Sequence, residues 1–245
     1  MNLHLFGVEG IPEIRPGDDL GALVAGCAAP LCSGDIIVVA QKVVSKAEGR
    51  LRALSAVTVG RPARRLARRL HADPRMVQVI LDESVRIVRD CHVLIVETRH
   101  GFVCANAGVD RSNVPGDDLV SLLPIDCDAS ADVLRSRIAQ VSGMTVGVIV
   151  SDTWGRPWRL GITNFALGVS GMPALLDYRG RTDDFGMQLN ASLLATADEL
   201  AAAAELVMGK TGRVPAVVIR GFDIFGDQTG RGSDLIRPRE LDLFR

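Results

Sequence analysis

Short runs of valine and isoleucine punctuate the chain, separated by stretches in which apolar residues recur every three or four positions. The short runs predict strands: "DIIVVA" (35–40), "HVLIVET" (92–98), "GFVCA" (101–105), "MTVGVIV" (144–150) and "AVVIRG" (216–221). "TRHG" (98–101) between the second and third reads as a hairpin turn. The longer stretches predict helices: "GDDLGALVAGCAA" (17–29), "RPARRLARRL" (61–70), "DPRMVQVILDESVRIVR" (73–89), "DASADVLRSRIAQVSG" (128–143) and "NASLLATADELAAAAELVMG" (190–209). An aspartate opens the first, Asp73 before Pro74 gives the third an N-cap with proline at the first helical position, and Gly143 and Gly209 close the last two. Strands and helices mix without strict βαβ alternation, which predicts an α+β or mixed α/β fold.

Composition narrows the classes. The chain has 245 residues, 47% apolar and 23% charged, an ordinary globular balance. Its 28 basic and 29 acidic residues leave a net charge of -1, which argues against a nucleic-acid partner. "RPARRLARRL" is locally basic and reads as a solvated helix face, with a polyanion contact as the alternative. Five cysteines without a C-x-x-C pair point to a reducing cytoplasm. No signal peptide or membrane span is expected. The four histidines lack zinc-binding spacing.

Four polar loops follow these elements. "QKVVSKAEGR" (41–50) offers Lys42 and Lys46 to phosphate, or else is a charged strand end in water. "NAGVDRSNVPG" (106–116) presents Asn106, Asp110, Ser112 and Asn113 together, either to hold a cation and its ligand or to satisfy an Asx turn. In "VIVSDTWGRPWR" (148–159) a strand is expected to end at Ser151-Asp152-Thr153, an acid and hydroxyls placed to hold magnesium beside phosphates, with Arg156 and Arg159 following for anionic oxygens. "MGKTGRVP" (208–215) contains "GKT", but Ala204 stands where a P-loop needs glycine and a helix precedes it, so the Walker motif fails. The loop still offers Lys210, Thr211 and backbone N–H groups to a phosphate. Asp110 and Asp152 in one site would repel unless a cation neutralised them.

Taken in order, "VEGIPEIRPGDDL", "VVSKAEGR", "NAGVDRSNV", "SDTWGRPWR" and "ADELAAAAELVMGK" resemble the coenzyme F-420:L-glutamate ligase family from about Val8 to Gly221. "LIRPRELDLF" (235–244) resembles the end of the ligase half of two-domain members, so residues 1–245 are expected to form the ligase domain without the nitroreductase-like one. The resemblance implies a family-specific mixed α/β ligase fold with mixed sheets, assembled as an intertwined homodimer. It implies GTP-dependent joining of L-glutamate to the phospholactyl-deazaflavin precursor of coenzyme F-420, then γ-linked additions, through an acyl phosphate, with magnesium or manganese and with potassium as helper. The family's nucleotide contacts fall on Ile11, Pro12, Glu13, Ile14, Gln41, Lys42, Lys46, Asn113, Met208, Gly209, Lys210, Thr211, Gly212, Arg213, Val214 and Pro215. Its metal ligands fall on Asp110, Asp152 and Thr153, the two aspartates being the catalytic pair. Lys210 departs from members that carry an acid there for a second metal, which leaves that metal unassigned. The rival readings are a GTP-binding regulatory protein and a deazaflavin-binding module without enzymatic activity.

Overall fold

A computed structural model describes residues 2–28, 30–223 and 229–243. Ala29 and Phe244, the last residues of two motifs above, lie outside them. In chain order the elements are β1 (His4–Gly7), α1 (Leu20–Cys27), β2 (Ile36–Ala40), α2 (Gln41–Ala47), β3 (Leu51–Ala53), α3 (Arg61–Leu70), α4 (Pro74–Asp82), β4 (Ser84–Cys91), β5 (Val93–Thr98), β6 (Val103–Ala105), β7 (Leu119–Ser121), α5 (Cys127–Ser142), β8 (Gly147–Arg156), β9 (Arg159–Ser170), β10 (Leu176–Asp177), β11 (Leu193–Leu194), α6 (Thr196–Met208) and β12 (Ala216–Arg220). The architecture is mixed α/β, with several sheets.

The main sheet runs β1-β12-β2-β8-β9. Its β2–β8 pair is parallel and its other pairs are antiparallel. The period of two in "IIVV" and "GVIV" sends alternate residues to opposite faces. Ile37, Val39, Val148, Val150 and Val218 face α1 and α5, whose Leu20, Val24, Leu134 and Ile138 join them in one core. Ile36, Val38, Ile149, Val217 and Ile219 face the alanine-rich side of α6. Burial on both faces explains why these strands read as unbroken apolar runs.

A second core joins α3 and α4 to Leu94 and Val96 of β5, to Val120 of β7 and to Val109. The expected hairpin at 98–101 is present, with the Gly101 N–H donating to the Thr98 carbonyl at 3.0 Å. Asp19 and Asp73 cap their helices as expected, accepting from the backbone N–H groups of Ala22 and Arg75.

Four expectations are corrected. The helix predicted over 190–209 begins only at Thr196, because Leu193–Leu194 pair as β11 with Leu176–Asp177 of β10. The helix predicted over 73–89 stops at Asp82, and Ser84–Cys91 forms β4 against β5. Its Val85, Ile87 and Val88 favour a pleated surface, and residues along β4 alternate between half-buried and exposed. Cross-strand partners Arg86 and Glu97 form an ion pair at 2.6 Å. The loop predicted from Gln41 is instead α2, because Val44 and Val43 pack into the first core on a helical spacing. The strand predicted to end near Val150 runs on to Arg156, held by its hairpin with β9.

Gly168 of β9 lies against the first turn of α5. A β-carbon there would stand 1.9 Å from the Cys127 carbonyl oxygen. That neighbour is helix backbone and cannot swing aside. Gly168→Ala is expected to destabilise the protein by about 3 kcal/mol, read as a fall in the urea midpoint at unchanged m-value.

Candidate active site

The parallel partners β2 and β8 bring Ala40 and Ser151-Asp152-Thr153 to one cavity of about 840 Å³. Residues 11–14, the start of α2, the loop after Asp110 and the segment after α6 close around it. Of the residues nominated by the family resemblance, Gly212 alone does not line it. Asn106 lies outside it as well; it adopts a left-handed backbone and accepts from the Val109 N–H within its own turn. Arg156 and Arg159 also lie elsewhere, and Arg156 donates to the Leu160 carbonyl at the tip of the β8–β9 hairpin.

Local sequence explains each wall. Ile11 and Ile14 are buried in the first core, so Pro12 and Glu13 between them are left at the cavity rim. α2 buries Val44 and presents Gln41, Lys42 and Lys46 to the cavity. Lys46 is only 6% exposed, and Glu13 compensates its charge at 2.5 Å. Gly209, at φ 56, ends α6, and Arg213 repeats the left-handed turn.

The two aspartates differ in their surroundings. Burial pushes the Asp110 carboxyl up, but hydrogen bonds from Lys42 and Ser112 outweigh it and hold the group below the usual range. The Lys42 ammonium stands 2.6 Å from Asp110, and the Ser112 N–H and hydroxyl each donate to it at 2.8 Å. Asp152 lies in β8, not at its end. Burial pushes its carboxyl up to about 6, against the opposing effects of the Thr153 N–H, the Trp154 indole and the Lys42 charge. The Trp154 N–H donates to Oδ2 at 3.0 Å, with its ring set edge-on to Phe102 and stacked on Phe165.

Thr153 donates to the Asn164 Oδ1 at 2.5 Å and accepts from the Lys210 ammonium at 2.5 Å. Lys210 also pairs with Glu205 at 2.6 Å. Sequence reading missed Asn164 and Glu205. Asn164 sits opposite Thr153 in the β8–β9 register, a relation visible only once the hairpin pairing is known. Glu205 reads in sequence as one more polar position of α6, and only the fold of the 208–215 segment brings Lys210 back to it.

Two features ask for a ligand. Gln41 lines the cavity and is 1% exposed; its side-chain oxygen accepts from Ser45, while its Nε2 is buried without a partner among the described residues. A buried amide donor left unpaired is costly unless an acceptor arrives. Four acids and four bases line the cavity, so its own charges cancel, yet Asp110 and Asp152 sit close enough to raise one another's burden. Among the described residues no three His, Cys, Asp or Glu side chains gather as a ready metal cluster. Two carboxylates and a hydroxyl form a partial oxygen set, which suits a hard cation that keeps waters and phosphate oxygens as its remaining ligands.

The family model for F420-0:gamma-glutamyl ligase matches residues 10–221. The chain belongs to this family. It is 46% identical to the coenzyme F420:L-glutamate ligase of Methanothermobacter thermautotrophicus, over the full length of both chains. It is 42% identical to the ligase of that name from Archaeoglobus fulgidus, covering 100% of this chain and 97% of the relative, and 45% identical to that of Methanopyrus kandleri, covering 99% of each. Membership accounts for the agreement between the residues nominated by motif and those that line the cavity.

Asp152 yields a sharp test. The unfolded chain ionises this group near 3.8, the folded one near 6. Below both values the two states are protonated alike; as pH rises through this window the folded state must release a proton it holds more tightly, and stability is lost. Without divalent cations, Asp152→Asn is therefore expected to raise Tm by a few degrees at about pH 8, with the gain vanishing near pH 4. Thermal melts across that range check it; a lower Tm at pH 8 would mark Asp152 as a structural cap.

Proposed function

We propose that residues 1–245 form a GTP-dependent ligase that joins L-glutamate to the carboxylate of the phospholactyl-deazaflavin precursor of coenzyme F-420 and then extends it by γ-linked glutamates. The observation that carries this reading is one cavity gathering Asp110, Asp152, Lys42, Lys46 and Lys210 from four distant segments of a chain in the gamma-glutamyl ligase family.

A carboxylate resists attack by an amine because oxide is a poor leaving group. In the proposed reaction the carboxylate oxygen forms a bond to the γ-phosphorus of GTP as the bond to the β-phosphate oxygen breaks and GDP leaves. The glutamate amine then attacks the acyl carbon, phosphate departs and the amine loses a proton. Phosphoryl transfer depends on position and on cancelling charge. Lys42, Lys46 and Lys210 supply fixed positive charge, and Gln41 and Asn113 offer amide groups for orientation. Residues 11–14 and 208–215 shape the nucleotide's walls. Asp110, Asp152 and Thr153 would hold magnesium or manganese, whose Lewis acidity would polarise the phosphate oxygens. Potassium is expected from the family resemblance alone, with no residue assigned to it. A regulator would turn over GTP without glutamate; a deazaflavin-binding module would need no nucleotide and would leave these acids without a task.

We also propose a homodimer in the cytoplasm. Leu160 and Phe185, 98% and 96% exposed, lie with Ile162 and Met187 on the β8–β9 hairpin and in the segment between β10 and β11, and such apolar exposure supports burial against a second copy. No helix among the described residues is long and apolar enough to cross a membrane.

Mass spectrometry of products from precursor, GTP, glutamate and Mn²⁺ tests the activity. Glutamate-dependent GTP consumption with mass gains of glutamate is expected, lost in excess chelator. Asp152→Asn is expected to slow addition about 100-fold, roughly 3 kcal/mol in the barrier, while leaving the fold intact. Light scattering is expected to give twice the 26.2 kDa chain mass; an active monomer would overturn the dimer.

A further inference from the structure

α3 carries five arginines and no acid. Arg69 is paired with Asp90, but Arg61, Arg64, Arg65 and Arg68 are exposed and have no ion-pair partner among the described residues. In a chain of net charge -1 this is a local concentration. Ala63, Leu66 and Ala67 bury the opposite side of the helix. Beside it lies an open groove of about 660 Å³, with Arg64, Arg68 and His71 above a floor that includes Val59, Ala67 and Pro74.

α3 and α4 share their core with Val109, the residue before Asp110 of the cavity wall. His71 and Pro74 flank Asp73, which Arg75 clamps at 2.7 Å. Arg111 lies within electrostatic reach of Asp73, and it directly precedes Ser112 and Asn113 of the cavity wall. Arg75 pairs with Asp73, while Asp118 accepts from the neutral Ser55 N–H and hydroxyl at 2.8 and 2.5 Å and keeps its charge, as does Asp117 beside Arg111. Against these two acids stand Arg61, Arg64, Arg65, Arg68 and Arg111, so the balance is positive.

The shape of the charge selects its ligand. Arg64 and Arg68, one helical turn apart, start from β-carbons about 6 Å apart. A γ-linked glutamate repeat has five backbone bonds, so an extended chain presents one α-carboxylate roughly every 6 Å. Its two methylenes per repeat suit the apolar floor. No Phe, Tyr or Trp lines the groove, so a single-stranded nucleic acid would find charge there without a stacking platform.

We propose that this groove is a subsite for the γ-linked oligoglutamate tail, running from Arg111 at the lip of the active-site loop to Arg68 and Arg64. The proposal rests on the ligase reading. Addition of the first glutamate has no tail to hold, so the groove acts only on later additions and biases tail length.

The test uses the full chain and the double variant Arg64→Gln/Arg68→Gln, both sites being on the surface away from the cavity. By calorimetry the wild type is expected to bind γ-linked pentaglutamate, more weakly as salt rises. The variant is expected to lose about fivefold in affinity, the loss of two exposed ion pairs. With precursor, GTP and glutamate, the variant is expected to add the first glutamate at the wild-type rate but to accumulate shorter tails. Unchanged affinity and tail lengths in a variant with an unaltered melt would overturn the groove and leave the ligase reading standing. Tighter binding of a single-stranded RNA of equal charge would also overturn it, as would a wild type that stops after one glutamate. A wild type that incorporates no glutamate overturns the ligase reading and the subsite together.

Discussion

The parallel pairing of β2 with β8 sets Ala40 beside Ser151, so the two segments run on from this pair in the same direction, one out of the sheet and one along its hairpin with β9. One becomes α2 and delivers Gln41, Lys42 and Lys46; the other continues as β8 and delivers Asp152 and Thr153. An antiparallel pairing would send these groups to opposite ends of the sheet. The register is fixed by burial on both faces, since a slip of one residue would move Ile37 and Val39 from the α1/α5 core to the α6 side. Precision in the site is thus inherited from the packing of an apolar sheet.

Within the cavity, the ammonium groups stand where positive charge is most needed. Lys42 satisfies Asp110, Lys46 satisfies Glu13, and Lys210 bridges Glu205 and Thr153. Burying such pairs is close to neutral in stability when each is well bonded, and strongly unfavourable when one partner is lost. Asp152 has no lysine of its own and carries the cost of burial as a raised pKa. This asymmetry marks it as the group that gains most from an arriving cation. Its indole donor from Trp154, itself packed between two rings, fixes the carboxylate's direction in the meantime.

Much of this was legible in the sequence because the cavity is built from contiguous motifs. Strand runs such as "DIIVVA" and "AVVIRG" carry their own burial signal, and the loops after them carry the chemistry. The failures share a physical cause. "DESVRIVR" has both helical and strand periodicities, and only its pairing with β5 decides between them. The seven residues of α2 are too short for a periodic signal to separate helix from loop, so tertiary packing of Val44 settles the matter. Ser151-Asp152-Thr153 looked like a strand terminus because polarity rises there, whereas the β8–β9 hairpin continues the ladder to Arg156. Asn164 was invisible for the same reason, since its role comes from a cross-strand partner eleven residues away.

Charge balance connects the site to its proposed ligand. The acids and bases lining the cavity cancel before anything binds. A nucleoside triphosphate adds about four negative charges at neutral pH, and its ionised oxygens cannot share a buried site with Asp110 and Asp152 unless positive charge enters with them. Lys210 matters to this balance. Protonated, it cannot ligate a cation, and its ammonium sits on Thr153 and is paired with Glu205, so its charge is already balanced within the cavity. The remaining deficit lies on the Asp110–Asp152 side, which is also where carboxylate oxygens are available to a hard ion. In the proposed reading the labour would be divided: lysines would meet phosphate charge, and the aspartates would make binding of the nucleotide depend on binding of its metal.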